Sequence, residues 1–178
     1  MKTNKRLKQL QLMLSTLFLF ICIPSTGHAS DSYHALDKRY VGYSEEETGL
    51  ANFDIHYSGR WKQSHEMIGR YGLFRSAELA SEMGFPAFSI ESFALSDEPD
   101  VQIYRTCSDI RVVSDSIVPA ASVSVHYLST EPELSEKSFS VRELIQIKAL
   151  LLDKNKRFDL HAFLETKGVN ISDERLDD

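Results

Sequence analysis

The sequence predicts an α+β fold, in which a mainly antiparallel sheet of four to five strands packs with one long central helix and a C-terminal helix. Several short segments alternate apolar and polar residues, as strands with one buried face do, whereas other segments carry apolar residues at helical spacing. The predicted order is strand, strand, helix, strand, strand, strand, helix. Strands that are grouped around one long helix indicate an α+β domain.

The first half of the predicted domain contains two strands and the long helix. The segment "VGYSEEETG" has the glycines and the acidic cluster of a short strand that leads into a turn. In "NFDIHYSG" apolar and polar residues alternate up to Gly59, which is typical of a half-buried strand. A helix is expected from about 64 to 83, with Ser64 as its N-cap and Gly84 as the left-handed residue that ends it.

The second half contains three more strands and the C-terminal helix. The strands are predicted in "FPAFSIESFAL", "VQIYRTCSDIRVV" and "ASVSVHYL". The segment "SFSVRELIQIKALLLDK" begins with Ser140 and has Glu143 three residues later, the pattern of a capping box at the start of a helix. A further short helix is expected in "RFDLHAFLETKG", ended by Gly168.

Residues 1–29 have the organisation of a secretory signal peptide. A basic stretch, "MKTNKRLKQL", is followed by the apolar "LMLSTLFLFICI" and then by small residues that include Gly27 and Ala29. The apolar run of about a dozen residues is shorter than the ~20 that a membrane-spanning helix needs. We therefore expect cleavage after Ala29, no membrane span in the mature chain, and a periplasmic or secreted protein.

A lipid anchor on Cys22 is the alternative form of processing. Bacterial lipoproteins carry a small residue directly before the modified cysteine, whereas Ile21 occupies that position here. Cleavage after Ala29 would remove Cys22 together with the signal peptide. The free periplasmic form is favoured, and the lipid-anchored form stays open as its alternative.

The mature chain is the size of one acidic domain. Removal of 29 residues from 178 leaves 149, of which 16 are Lys or Arg and 26 are Asp or Glu, so the net charge changes from −6 to −10. This charge argues against nucleic acids and anionic lipid surfaces as partners. We expect a flexible lead-in over 30–40, a single α+β domain over 41–168 and a frayed acidic tail over 169–178.

The mature chain retains one cysteine, Cys107, so an internal disulfide bond and a CxxC redox motif are both excluded. Cys107 lies in a predicted strand, and free cysteines are among the most often buried residues. We expect a buried thiol in a monomeric protein.

The spaced pattern over residues 41–91 resembles a family of small bacterial envelope proteins, most of which are labelled putative lipoproteins. The shared pattern consists of GYS, an alternating strand that ends in Gly, R-x-AEL, and a Gly before a strand with Phe. Its matching positions here are Gly42, Tyr43, Ser44, Gly59, Arg75, Ala77, Glu78, Leu79, Gly84 and Phe88. The resemblance implies an envelope location but no activity. The poor match around Cys22 departs from the family and puts lipid anchoring of this chain in doubt.

Arg75 and Glu78 are the main candidates for a ligand site, with Tyr43 as a third. Arg75 and Glu78 are three residues apart on the predicted helix, so their side chains can meet on its surface. In the functional interpretation Arg75 binds an anionic ligand and Glu78 orients that ligand. In the structural interpretation, which we favour, the two form a partly buried ion pair that ties the helix to the sheet.

Metal and catalytic sites receive less support from the sequence. The chain contains no HExxH, HxH, GxSxG, SxxK, GxGxxG or Walker pattern, and we expect no cofactor. His56 and His126 both fall on the polar face of predicted strands, so they become candidate metal ligands if those strands are neighbours. The sequence favours a protein that is not an enzyme.

Two functions follow from these observations. The first is a non-enzymatic periplasmic domain that binds another cell-envelope protein through a sheet edge or a surface patch. The alternative is a small-ligand or metal-binding periplasmic protein that uses the region of Arg75 and Glu78, or His56 and His126. A concave pocket with converging polar groups would favour the second function, and a closed core with an exposed strand edge would favour the first.

Overall fold

The computed structural model describes residues 33–37, 40–100, 102–105, 110–113, 116–130 and 137–175. Residues 1–29, which are predicted to be a signal peptide, and the cysteines Cys22 and Cys107 lie outside these residues. The described elements, in chain order, are β1 (Gly42–Gly49), β2 (Asn52–Ser58), α1 (His65–Met83), β3 (Ala87–Pro99), β4 (Gln102–Arg105), β5 (Ile110–Val113), β6 (Ile117–Leu128), β7 (Ser138–Ser140), α2 (Val141–Gln146), α3 (Lys148–Leu152), α4 (Leu160–Glu165) and β8 (Ser172–Glu174).

The predicted α+β class with a mainly antiparallel sheet is confirmed. The main sheet has the order β1-β2-β6-β3-β7, and β8 pairs with another part of β3 as the parallel partner in an otherwise antiparallel sheet. It has six strands rather than four to five, because β7 and β8 share the free edge of the 13-residue strand β3. Each of these two strands has three residues, too few to show an alternating pattern in the sequence.

The segment that was predicted as the strand "VQIYRTCSDIRVV" contains two strands. β4 and β5 pair with each other as an antiparallel hairpin, separate from the main sheet. The residues between them in the sequence, "TCSD", include types that favour turns. The hairpin therefore lies between β3 and β6, which pair along most of their length.

One face of the sheet forms the core with α1. The alternation in β2 is confirmed, because Phe53, Ile55 and Tyr57 are buried, and β6 adds Val123 and Val125 from the next strand. The 19-residue helix α1 packs on this face and also contacts α2 and α3. Among the described residues, no helix is long and apolar enough to cross a membrane.

The ends of α1 follow the predicted local signals. The Ser64 hydroxyl accepts a hydrogen bond from the Met67 amide at 3.2 Å and so caps the first turn. Gly84 has φ of 82°, and its amide bonds back to the last turn, as a left-handed helix stop does. Ser140 likewise accepts the Glu143 amide, at the start of α2.

The predicted C-terminal helix is divided into shorter pieces. It begins at Val141 as expected but is interrupted at Ile147, between α2 and α3, and α4 follows after a loop. The end of α3 is stabilised by Arg70 of α1, whose guanidinium donates to four backbone carbonyls in the range 150–156. These bonds replace the helical partners that carbonyls at a helix end lack.

Both ends of the described domain extend beyond the predicted bounds of 41–168. In the lead-in, Ala35 forms a parallel bridge with Tyr43, and the Tyr43 amide donates to the His34 carbonyl at 3.0 Å. In the predicted tail, Val169 is buried and β8 pairs with β3. The predicted flexible lead-in and frayed tail thus both make contacts with the sheet. The sequence pattern did not indicate these contacts, because β3, the partner of β8, is distant in sequence.

Candidate functional site

The predicted pair Arg75 and Glu78 belongs to a larger network between α1 and β1. Arg75, Glu78 and Glu82 lie on one side of the helix, because residues three and seven apart are neighbours there. Arg75 Nη1 donates to Glu78 Oε2 at 2.8 Å and to Glu82 Oε1 at 2.9 Å, and Nη2 donates to Glu82 Oε2 at 3.0 Å. Arg75 Nε donates to Glu45 of β1.

The sequence candidate Tyr43 joins the same network through its ring. Tyr43 and Glu45 share one face of β1, since side chains alternate along a strand. The Arg75 guanidinium lies 4.5 Å from the centre of the Tyr43 ring, a cation–π geometry. The structure therefore brings the three sequence candidates together and adds two carboxylates to them.

The electrostatics of Arg75 are those of a satisfied buried cation. Arg75 is 6% exposed, and burial alone would lower the pKa of its guanidinium. Hydrogen bonds from Arg75 to Glu82, Glu78 and Glu45 outweigh burial and raise the pKa above its ordinary value. The guanidinium already has a carboxylate on several sides, so this geometry agrees better with the structural interpretation than with capture of an anionic ligand.

Tyr33 connects the lead-in segment before β1 to this network. Its hydroxyl donates to Glu78 Oε2 at 2.7 Å, the carboxylate oxygen that also accepts from Arg75. Its ring lies within 5.4–6.1 Å of four other rings, measured between centroids, and those rings belong to Tyr43, Tyr57, Tyr71 and Phe74. The segment before β1 is thus part of the core.

Alkaline pH should destabilise the protein through these tyrosines. Burial raises the pKa of Tyr57 and Tyr127, and burial followed by the hydrogen bond to Glu78 raises that of Tyr33. Tyrosine in the unfolded chain ionises near pH 10. The stability that comes from keeping these tyrosines buried and neutral is therefore complete below about pH 10 and decreases above it. The free energy of unfolding should fall by about 1.4 kcal/mol per pH unit for each fully buried tyrosine.

Urea unfolding at a series of pH values from about 9 to 11 measures this dependence. Tyr33→Phe should give a shallower decrease than the unchanged chain, because one titrating hydroxyl is absent. A free energy of unfolding that is constant across this range would contradict the assignment of these tyrosines as buried and neutral.

His56 and His126 do not converge. They lie on the same face of neighbouring strands, but His56 is opposite Ser122 and His126 is opposite Asn52. This four-residue offset corresponds to about 13 Å along the strands. His56 instead contacts Glu98 at 3.2 Å, and His126 contacts the Asn52 side chain at 2.5 Å. Within the described ranges, no group of three or more His, Cys, Asp or Glu side chains is placed to hold a metal ion.

A cleft that the sequence analysis did not identify lies at the N-terminal end of α1. It has a volume of about 920 Å³. Its lining comes from the turn after β2, the start of α1, the end of β3, the start of β6, and the β8 segment. The lining residues are Trp61, Lys62, Gln63, Ser64, His65, Asp97, Ile117, Pro119, Asp173 and Arg175.

The turn that carries Trp61 is fixed by a close backbone contact. The Gly59 amide donates to the Pro119 carbonyl at 2.8 Å, which ties the turn to β6. A Cβ at position 59 would lie 2.8 Å from that carbonyl oxygen, so only glycine permits the contact without a shift. Next to it, the Arg60 amide donates to Gln63 Oε1 at 2.6 Å and closes the turn.

The cleft exposes two large apolar side chains between paired polar ones. Trp61 is 57% exposed and Ile117 is 53% exposed. His65 Nε2 lies 2.8 Å from Asp97 Oδ1, and Arg175 forms an ion pair with Asp173. The hydrogen bonds from Arg175 hold the pKa of Asp173 below its ordinary value, and His65 adds a smaller electrostatic effect in the same direction.

A second and smaller pocket, of about 360 Å³, lies between the lead-in and the β3–β6 pair. Its apolar lining includes Leu36, Tyr40 and Val118, and the His56–Glu98 pair lies at its side. Tyr40 has φ of 58°, in the left-handed region, and its side chain is exposed. This pocket is less polar than the Trp61 cleft.

Comparison of the chain with family models, with curated proteins and with solved structures gives no match in any of the three. The resemblance to envelope lipoproteins therefore stays a prediction. The function is inferred from the geometry of the sites.

Proposed function

We propose that this chain is a non-enzymatic binding domain of the bacterial cell envelope and that the Trp61 cleft is its binding surface. The observation that carries the proposal is the exposure of Trp61 and Ile117 in one cleft that also contains polar side chains. Binding sites combine apolar surface with a few converging polar groups, and tryptophan is enriched where partners bind.

The Arg75 network is a weaker candidate for this role. Its cation is buried and is already bonded to three carboxylates, so a ligand would have to replace those bonds. The Trp61 cleft needs no such replacement, because its two large apolar side chains already face solvent. The edge of β1 is less suitable, because Glu45, Glu46 and Glu47 place charge where a partner strand would pair.

Binding rather than catalysis is proposed because the polar groups of the cleft are engaged with each other. His65 is bonded to Asp97, and Arg175 is bonded to Asp173. The hydroxyl of Ser64, which also lines the cleft, accepts the Met67 amide as the cap of α1. These pairs present a fixed polar surface to a ligand.

Crosslinking in cells tests the proposed binding surface. A photoreactive amino acid with an aromatic side chain, which keeps a ring at position 61, should form a covalent product with an envelope component in intact cells. The matched control places it at Leu50, which is 93% exposed and does not line the cleft. Equal products at both positions, or none at position 61, would count against the cleft as the binding surface.

The envelope location has a separate test, which rests on the organisation of residues 1–29. Mass spectrometry of the protein isolated from its own cells should give a mature chain that begins at Ser30. An acylated Cys22 at the N-terminus would instead support the lipid-anchored alternative. A chain that retains Met1 would contradict both forms of export.

A further inference from the structure

We infer that the ligand of the Trp61 cleft is a neutral oligosaccharide. This inference rests on the proposed function, since it names the chemical class of the component that the cleft binds. Three features of the cleft lead to it: an open aromatic surface, a balance of charge, and polar side chains that are held in pairs.

The aromatic surface is the first feature. Trp61 is the single tryptophan of the chain, and tryptophan is on average highly buried in folded proteins. Here more than half of it faces solvent, within the same cleft as Ile117. The apolar C–H face of a sugar ring can pack on a flat indole ring, while an apolar substituent such as an acetyl methyl group can contact Ile117.

The balance of charge is the second feature. The lining contains the cations Lys62 and Arg175 and the anions Asp97 and Asp173, so these four charges cancel. The whole chain, by contrast, has a net charge of −6. A phosphate or other anion would face the two carboxylates, and a polycation would face the two basic groups. The lining favours a ligand that is polar and uncharged.

The pairing of polar side chains is the third feature. Asp97 and Asp173 offer carboxylate acceptors, while Arg175 and His65 offer nitrogen donors, and each acid is held by its partner. Neighbouring hydroxyls on a sugar ring act both as donors and as acceptors, so they match such pairs. Side chains that are already ordered lose little conformational freedom when the ligand binds.

The size of the cleft favours an oligomer over a single sugar. Its volume of about 920 Å³ lies near the upper end of the range for ligand pockets, which is roughly 300–1,000 Å³. A protein partner fits the lining less well, because charged residues are depleted from the cores of protein interfaces. In this cleft they stand beside the two apolar side chains.

The single tryptophan makes the test direct, because the tryptophan fluorescence of the full chain reports on position 61 alone. The probes are the tetramer of N-acetylglucosamine, maltotetraose, inorganic phosphate, tetralysine and an uncharged tetrapeptide. A saturable change in emission with at least one of the two saccharides, and a weaker or absent change with the other three probes, is the expected result.

Variants locate the interaction. Asp173→Asn should weaken saccharide binding about tenfold, as loss of a charged hydrogen-bond acceptor does, without a change in melting temperature. Glu91→Gln is the matched control, because Glu91 is exposed on β3 and does not line the cleft. Equal affinities of Asp173→Asn and Glu91→Gln would overturn the inferred geometry.

Different experimental outcomes would refute the ligand class and the proposed binding surface. If crosslinking at position 61 captures an envelope component but neither saccharide changes the emission, the ligand class is wrong and the binding surface stands. A saturable response to the tetrapeptide alone would also overturn the ligand class, in favour of a protein partner. If crosslinking at position 61 fails as well, both proposals are wrong.

Discussion

Arg75→Ala should destabilise the folded protein by about 3–5 kcal/mol, near the lower end because its partners are partly solvated. The substitution leaves the carboxylates of Glu45, Glu78 and Glu82 close together without the cation that they share. For a domain of this size, each kcal/mol lowers the melting temperature by roughly 2–4 °C. Thermal and urea unfolding measure the effect.

Arg142→Ala is the matched control, because Arg142 is an exposed arginine on α2. Its effect should stay within about 0.5 kcal/mol, as for most surface substitutions. The double variant Arg75→Ala with Glu78→Ala should lose less stability than the sum of the two single variants, because neighbouring partners are coupled. Arg75→Ala with the stability of the control would contradict the structural role of the network.

Tyr33→Ala should be the second most destabilising change, at about 2–4 kcal/mol. It removes an aromatic ring from a cluster of four others, together with the hydrogen bond to Glu78. Truncation of a buried aromatic residue costs about 3–5 kcal/mol, and Tyr33 is only partly buried. Urea unfolding of each variant and of the unchanged protein measures the difference.

Two further variants divide the effect of Tyr33 into its parts. Tyr33→Phe keeps the ring and should cost about 1.5–2 kcal/mol, because the lost hydrogen bond is to a charged carboxylate. Tyr40→Ala truncates an exposed tyrosine of the same lead-in and should cost less than either change at Tyr33. If Tyr33→Ala matches Tyr40→Ala, the lead-in is not part of the folded core.

Features that depend on local signals were predictable from the sequence. The ends of α1 follow from Ser64 and Gly84, which act on backbone groups only a few residues away. The buried face of β2 follows from an alternation that is visible within seven residues. The α+β class follows from the order of such segments.

Features that depend on distant partners were not predictable. Arg75 and Glu78 stood out in the sequence, but Glu45 is 30 residues from Arg75 and Tyr33 is 45 residues from Glu78. Arg70 stabilises the end of α3 through backbone carbonyls that are 80–86 residues away. Backbone carbonyls leave no pattern in the sequence.

The Trp61 cleft combines a feature that is visible in the local sequence with features that depend on distant partners. A single tryptophan in the polar turn "GRWKQS" was a signal that the sequence offered. The rest of the cleft was not visible, because β8 reaches it through a three-residue pairing that places Asp173 opposite Leu95 of β3. A segment with so few apolar residues has the composition of a tail.

We propose that the Arg75 network stabilises the fold whereas the Trp61 cleft binds the ligand. The most direct test is a comparison of Trp61→Ala and Arg75→Ala for binding to an envelope fraction of the source cells, at a temperature at which both variants are folded. We expect Trp61→Ala to lose binding with an unchanged melting temperature, and Arg75→Ala to retain binding with a lowered one. Lost binding in Arg75→Ala at an unchanged melting temperature, together with full binding by Trp61→Ala, would contradict the claim.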